Sequence, residues 1–283
     1  MTTLVPAAER PDGDGRERTP RAHCIADSAG GLTFDVRDPG TPGDAHLVLL
    51  RRGSGHPAEE VRLPLTPASG GSLRAALPSG VALTEGRWDV HAQVAGGRLR
   101  RLAPGAHDLR SLLDRVPSGA LGHVAVRIPY ATKNGNLSVR SWWRAPHAEA
   151  GELLVADPGL TVSGRMYGTV PTTAAHAESV LRADPSVLVR AGVTVRQRDF
   201  VFTVPYAELM SRPGLWDLWL CPDGADGPRV RIARIIDRAA DIADRRAVHG
   251  YPAVRPAAGQ GVFEARALYT QDNDLSVRVT PVR

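Results

Sequence analysis

Gly86-Arg87-Trp88-Asp89-Val90 returns as Gly214-Leu215-Trp216-Asp217-Leu218, 128 residues further along a 283-residue chain. Upstream of it, Leu73-Arg74-Ala75-Ala76-Leu77-Pro78 aligns with Phe200-Val201-Phe202-Thr203-Val204-Pro205 at an offset of 127. Downstream, Asn136-Leu137-Ser138-Val139-Arg140 aligns with Asp274-Leu275-Ser276-Val277-Arg278 at an offset of 138. Each of these last segments follows a Tyr-led turn, Tyr130 to Gly135 and Tyr269 to Asn273. Three landmarks in one order predict two copies of one domain, with an insertion after the second Trp-Asp strand. A period this long signals tandem domains rather than a solenoid of short units.

The copies read as β structure. Trp88, Val90, Ala92 and Val94 share one face of a period-two pattern, opposite Asp89, His91 and Gln93. In the second copy Trp216, Leu218 and Leu220 oppose Asp217 and Trp219. Such alternation is the mark of a strand with one buried face. Asn134-Gly135 and Asp223-Gly224 are hairpin signals. Strands every eight to twelve residues, separated by turn chemistry, predict an all-β fold: two tandem related immunoglobulin-like β-sandwich domains. The expected organisation is a disordered tail over 1–23, repeat one over 24–145, a linker over 146–149 and repeat two over 150–283. Segments 108–115 and 235–247 carry apolar residues near helical spacing and are left open between loop and helical turn.

Composition supports this and excludes several alternatives. Gly (29) and Pro (23) are too frequent for a long helical bundle. The net charge is +5, yet all but one of the 35 basic residues are Arg, the exception being Lys133. This is an actinobacterial-like, high-GC bacterial composition. The 30 acidic residues are interleaved with the Arg, so no basic stripe for nucleic acid forms. Cys24 and Cys221 stand alone, with no metal-ligand spacing and no disulfide framework. Met1 to Arg21 has no apolar run, and no stretch approaches the ~20 residues of a membrane span. The expectation is a cytoplasmic protein with no membrane insertion.

The aromatic and acidic landmarks are candidates for sites. Trp88 and Trp216 share their faces with aliphatic residues and are expected in cores. Trp219 falls on the opposite face from Trp216, and one of Trp142 and Trp143 must face outward. These three are the candidates for a binding or interface surface. Asp89 and Asp217, being repeated, are expected as structural partners of Arg140 and Arg278 rather than as catalysts. Asp272-Asn273-Asp274 resembles an Asp-x-Asp metal motif but sits at a turn position with no nucleotide-binding unit before it. The nine His form no metal motif, and nucleophile elbow, P-loop and dinucleotide fingerprints are absent. No catalytic residue, metal or cofactor is therefore assigned, and enzyme activity is not expected. If the chain is an enzyme after all, the cleft between the domains is the place, with Tyr167, His176, His249 and Tyr251 as candidates that the copies do not share.

The Gly-x-Trp-Asp strand, the Arg-rich hairpin after it and the Tyr-x-Thr…Asn-Leu-Ser-Val-Arg segment together resemble a known module. It is the tandem immunoglobulin-like accessory region found C-terminal to family 2 type glycosyltransferases of bacterial teichoic-acid and related glycopolymer synthesis, here without the catalytic domain. The residues carrying the resemblance are Trp88, Asp89, Tyr130, Asn136, Leu137, Ser138 and Arg140, with Trp216, Asp217, Tyr269, Leu275, Ser276 and Arg278; Asp274 departs where the first copy has Asn136. The resemblance implies a non-catalytic accessory or scaffold role in glycopolymer or glycosylation machinery, through self-association, a protein partner or polymer binding. The alternatives are a sugar-processing or natural-product tailoring enzyme, and a carbohydrate-binding module.

Overall fold

The computed structural model describes residues 19–37, 44–53, 59–112, 122–236, 250–257 and 262–282. The described chain is almost wholly β. The first half contributes β1 (Arg21–Ala26), β2 (Leu32–Arg37), β3 (Ala45–Arg51), β4 (Glu60–Pro64), β5 (Thr66–Pro67), β6 (Leu73–Leu77), β7 (Gly86–Val94), β8 (Arg100–Arg101), β9 (Ala103–Asp108), β10 (Val124–Ala131) and β11 (Leu137–Arg144). The second contributes β12 (His147–Val155), β13 (Gly159–Tyr167), β14 (His176–Leu181), β15 (Leu188–Arg196), β16 (Asp199–Pro205), β17 (Gly214–Cys221), β18 (Val230–Ala233), β19 (Phe263–Tyr269) and β20 (Leu275–Pro281). Among the described residues one four-residue α-helix, α1 (Tyr206–Leu209), follows β16.

The strands form where the alternation says they should. In β7, Trp88, Val90 and Ala92 are buried while Arg87, Asp89 and His91 are half-buried. In β16, Phe200, Phe202 and Val204 point inward and Asp199, Val201 and Thr203 outward. β10 departs from the rule: Val124 to Tyr130 are buried without interruption. Its Arg127 is 1% exposed and donates to the carbonyls of Pro78 and Val81.

Strand order repeats along the chain. Sheet one of the first half runs β5-β6-β2-β1-β9 and sheet two β10-β11-β7-β3-β4. In the second half β16-β13-β12-β18 and β19-β20-β17-β14 repeat these neighbourhoods, including the parallel pairing of the first strand, β1 with β9 and β12 with β18. One difference separates them. β14-β15-β16-β13-β12-β18-β17 closes through a β14–β17 pairing into a ring of seven strands, instead of leaving two separate sheets. Two unbroken strands make the closure. β15 pairs β14 through Leu188–Gly192 and β16 through Val193–Arg196, whereas the corresponding path is broken between β4 and β5. Likewise β18 pairs both β12 and β17, where the first half uses two pieces, β8 and β9. Closing the ring removes sheet edges that would otherwise need covering.

Two apolar cores result. One centres on Phe34, Trp88 and Trp142, the other on Phe200, Tyr206 and Trp216. The first core also takes in Ala233, Ile235 and Ile236, which follow β17 in the chain, so the halves share packing. Within 108–115, Arg110–Leu112 is a single 3-10 turn, and 113–115 lie outside the described residues. Within 235–247, Ile235 and Ile236 are irregular and buried, and 237–247 lie outside them. β1 begins at Arg21, inside the segment expected as tail, and β12 at His147, inside the expected linker.

Candidate functional site

Each Trp-Asp landmark builds the same small constellation. The indole N–H of Trp88 donates to the Thr84 carbonyl at 3.1 Å, and that of Trp216 to the Arg212 carbonyl at 3.1 Å. Asp89 accepts from Arg52 at 2.5 Å and from Ser138 Oγ at 2.9 Å, with Arg101 at 3.2 Å. Asp217 accepts from Arg182 at 2.6 and 2.9 Å, from Arg231 at 2.7 Å and from Ser276 Oγ at 2.9 Å. Burial works against both carboxylates. Hydrogen bonds from Arg52 and Ser138 to one, and from Arg182 and Ser276 to the other, with the nearby Arg charges, outweigh it and hold both below the usual carboxylate range.

The partners differ from those expected. Register places Ser138 opposite Asp89 and Ser276 opposite Asp217, so Arg140 falls opposite Arg87 and Arg278 opposite Leu215. The guanidinium groups come instead from residues just past β3 and β14 and from β8 and β18. Nothing in the spacing of the Trp-Asp motif reveals them. The Tyr landmarks are also one position apart: Tyr130 faces Ser138, whereas Tyr269 faces Leu275.

Between the halves, the turn of the β19–β20 hairpin docks on β7 and β11. Asp272-Asn273-Asp274 forms this turn, with Asn273 in the left-handed region at φ 62° where Gly135 has φ 71° in the β10–β11 hairpin. The Trp142 indole N–H donates to the Asp272 carbonyl at 3.1 Å. The Asp272 carboxylate meets Arg140 at 3.0 Å and Arg87 at 3.4 Å. Asp274 meets Arg144 at 2.9 Å, and Arg144 also grips Glu85 through two hydrogen bonds of 2.9 and 3.0 Å. Burial raises the Asp274 carboxyl above its ordinary value, against the pull of Arg144 and Arg231.

The second half carries a cleft of about 410 Å³ lined by Glu149, Ser163, Arg165, Tyr167, Phe200 and Ile236, among others. Glu149 accepts the backbone N–H groups of Ile235 and Ile236 at 3.0 Å each and is 2.7 Å from His147 Nε2. Its carboxylate thereby pins the segment after β18 to β12. Arg165 and Asp199 pair at the rim at 3.0 Å.

The predicted site residues are scattered. Of the three described candidates for an interdomain cleft, Tyr167 lines this one and His176 and Tyr251 do not. His176 lies on β14 beside Glu178 and Cys221. Tyr251 packs against Tyr269, ring centroids 6.5 Å apart, and His249 lies outside the described residues. Trp142 is buried, Trp143 is half-buried and stacked on His123 at 3.9 Å, and Trp219 is half-buried under Arg231 at 5.1 Å. Sequence reasoning missed Arg52, Arg101, Arg182, Arg231, Glu149, Glu178 and Cys221, all of which acquire meaning only when strands are paired.

No protein-family profile matches this chain, and no curated protein matches its sequence. Among solved structures, S. aureus TarS 217-571 is similar at 14% identity over 66% of this chain and 55% of that one, with a TM-score of 0.31. S. aureus TarS matches at 14% identity over 70% and 38%, with a TM-score of 0.29. A marsupial T cell receptor matches at 8% identity over 93% and 92%, with a TM-score of 0.28. This chain therefore spans about half of the first structure and less of the second. At these TM-scores none of the three bears on the function of this chain.

Proposed function

We propose that this chain is a non-catalytic accessory or scaffold module of bacterial glycopolymer or glycosylation machinery, built from two related β units over 24–145 and 150–283 and acting by self-association. The observation that carries the reading is the duplicated Asp-Arg-Arg-Ser constellation. A carboxylate held by two guanidinium groups and a hydroxyl, in the same place twice, is committed to holding strands together. The motifs shared with the accessory region of glycopolymer transferases supply the biological setting. Trp143 and Trp219, neither fully buried, are the aromatic anchors available to a partner copy.

The test is light scattering of the eluting protein at several concentrations, for the native chain and for Trp219→Ala, together with an assay of sugar-nucleotide turnover. The reading predicts an assembly weakened by the substitution and no turnover. A strict monomer, unchanged by the substitution, or measurable turnover would count against it. A second reading, a small-ligand site, is favoured by the cleft beside Glu149 and Tyr167, whose size suits a single sugar unit. It predicts saturable sugar binding that Tyr167→Ala abolishes.

A further inference from the structure

We propose that His176, Glu178 and Cys221 form a site for a borderline-soft divalent cation of the zinc class. β14 and β17 are antiparallel neighbours, and His176 sits directly opposite Cys221. Glu178 lies two residues along β14, on the same face as His176. The three ligand atoms lie within 4.8 Å of one another, and His176 Nε2 is 3.3 Å from Glu178 Oε1. An imidazole, a carboxylate and a thiolate converging from two strands offer three of the four ligands of a tetrahedral centre, the fourth position being open to water.

Comparison with the first half supports a role beyond packing. Through the matched pairings, His176, Glu178 and Cys221 occupy the positions of His46, Val48 and Gln93. Where the structural Asp-Arg-Arg-Ser constellation is duplicated, this trio is not. Glu178 is 2% exposed at a position where its counterpart is valine, and burying a carboxylate there is costly without compensation. The compensation comes from His176 and two arginines. Oε1 accepts from Arg190 at 3.1 Å, while Oε2 lies 2.7 Å from Arg229 Nε without hydrogen-bond geometry. The two arginine side chains are 57% and 44% exposed and can swing outward, leaving the carboxylate to a cation. Cys221 is a free, buried cysteine. On binding, the S–H bond breaks, the sulfur lone pair forms the metal–sulfur bond and the proton leaves to solvent, one per ion.

The test is titration of the full chain with Co²⁺, read by the sulfur-to-cobalt charge-transfer absorption, with Zn²⁺ as competitor. One Co²⁺ per chain is expected, with the band abolished by Cys221→Ser, unchanged by Cys24→Ser and weakened in His176→Ala. Arg229→Gln removes a repelling charge and is expected to tighten binding about tenfold, an outcome that mere misfolding would not produce. Absence of the band in the native chain, or its survival in Cys221→Ser, would overturn the proposal.

Discussion

Burial works against the Asp217 charge, and the hydrogen bonds from Arg182 and Ser276 with the charge of Arg231, itself only 11% exposed at the side chain, outweigh it. Removing the charge leaves that buried guanidinium without one of its two carboxylate partners. Asp217→Asn is expected to cost about 1–3 kcal/mol in urea unfolding at neutral pH, and more than Asp89→Asn, whose partner Arg52 is better solvated. A carboxylate depressed in the folded state contributes stability that is present above its unfolded value, about 3.9, and is lost as pH falls through the lower folded one. Asp89 and Asp217 therefore predict a fall in stability below about pH 4, shallower in Asp217→Asn. Asp274 has the opposite sign, since burial raises it, and its ionisation costs stability as pH rises. At this scale the Trp and Asp of each constellation were legible in sequence because they are adjacent and repeated. Their Arg partners were not, because Arg52 and Arg101 stand in segments with no shared motif and converge only through strand pairing.

The β19–β20 hairpin is one element that joins the halves. Its turn docks on a surface made of Arg87, Arg140, Trp142 and Arg144. The β10–β11 hairpin has the same form, with Thr132 and Thr270 closing equivalent turns. The surface that receives the turn is not repeated: the second half offers Leu215, Arg278, Thr280 and Val282 at the matching places. The contact therefore cannot propagate from unit to unit. Trp142→Ala is expected to cost about 3–5 kcal/mol and to separate unfolding of the two cores into distinct steps in calorimetry. Alternation predicted β7 and β17, where one face is buried. It did not predict the ring closure, which depends on whether β15 and β18 run unbroken, a property of strand continuity rather than of period.

Over the whole molecule, the reading as a scaffold rests on what the strongest sequence landmarks do. Trp88, Trp216 and Trp142 are buried, and Asp89 and Asp217 hold strands. Of the aromatic candidates, Trp143 and Trp219 retain exposure. The basic excess is similarly spent: Arg52, Arg101, Arg140, Arg144, Arg182 and Arg231 all face carboxylates within the chain. These arginines serve internal pairing, in keeping with the interleaving of acidic and basic residues along the sequence. Light scattering of the native chain and of Trp219→Ala tests the scaffold claim most directly. The account predicts a native mass that is a multiple of 30.2 kDa and that falls toward 30.2 kDa with the substitution. A native chain of 30.2 kDa at every concentration, indistinguishable from the variant, would contradict it.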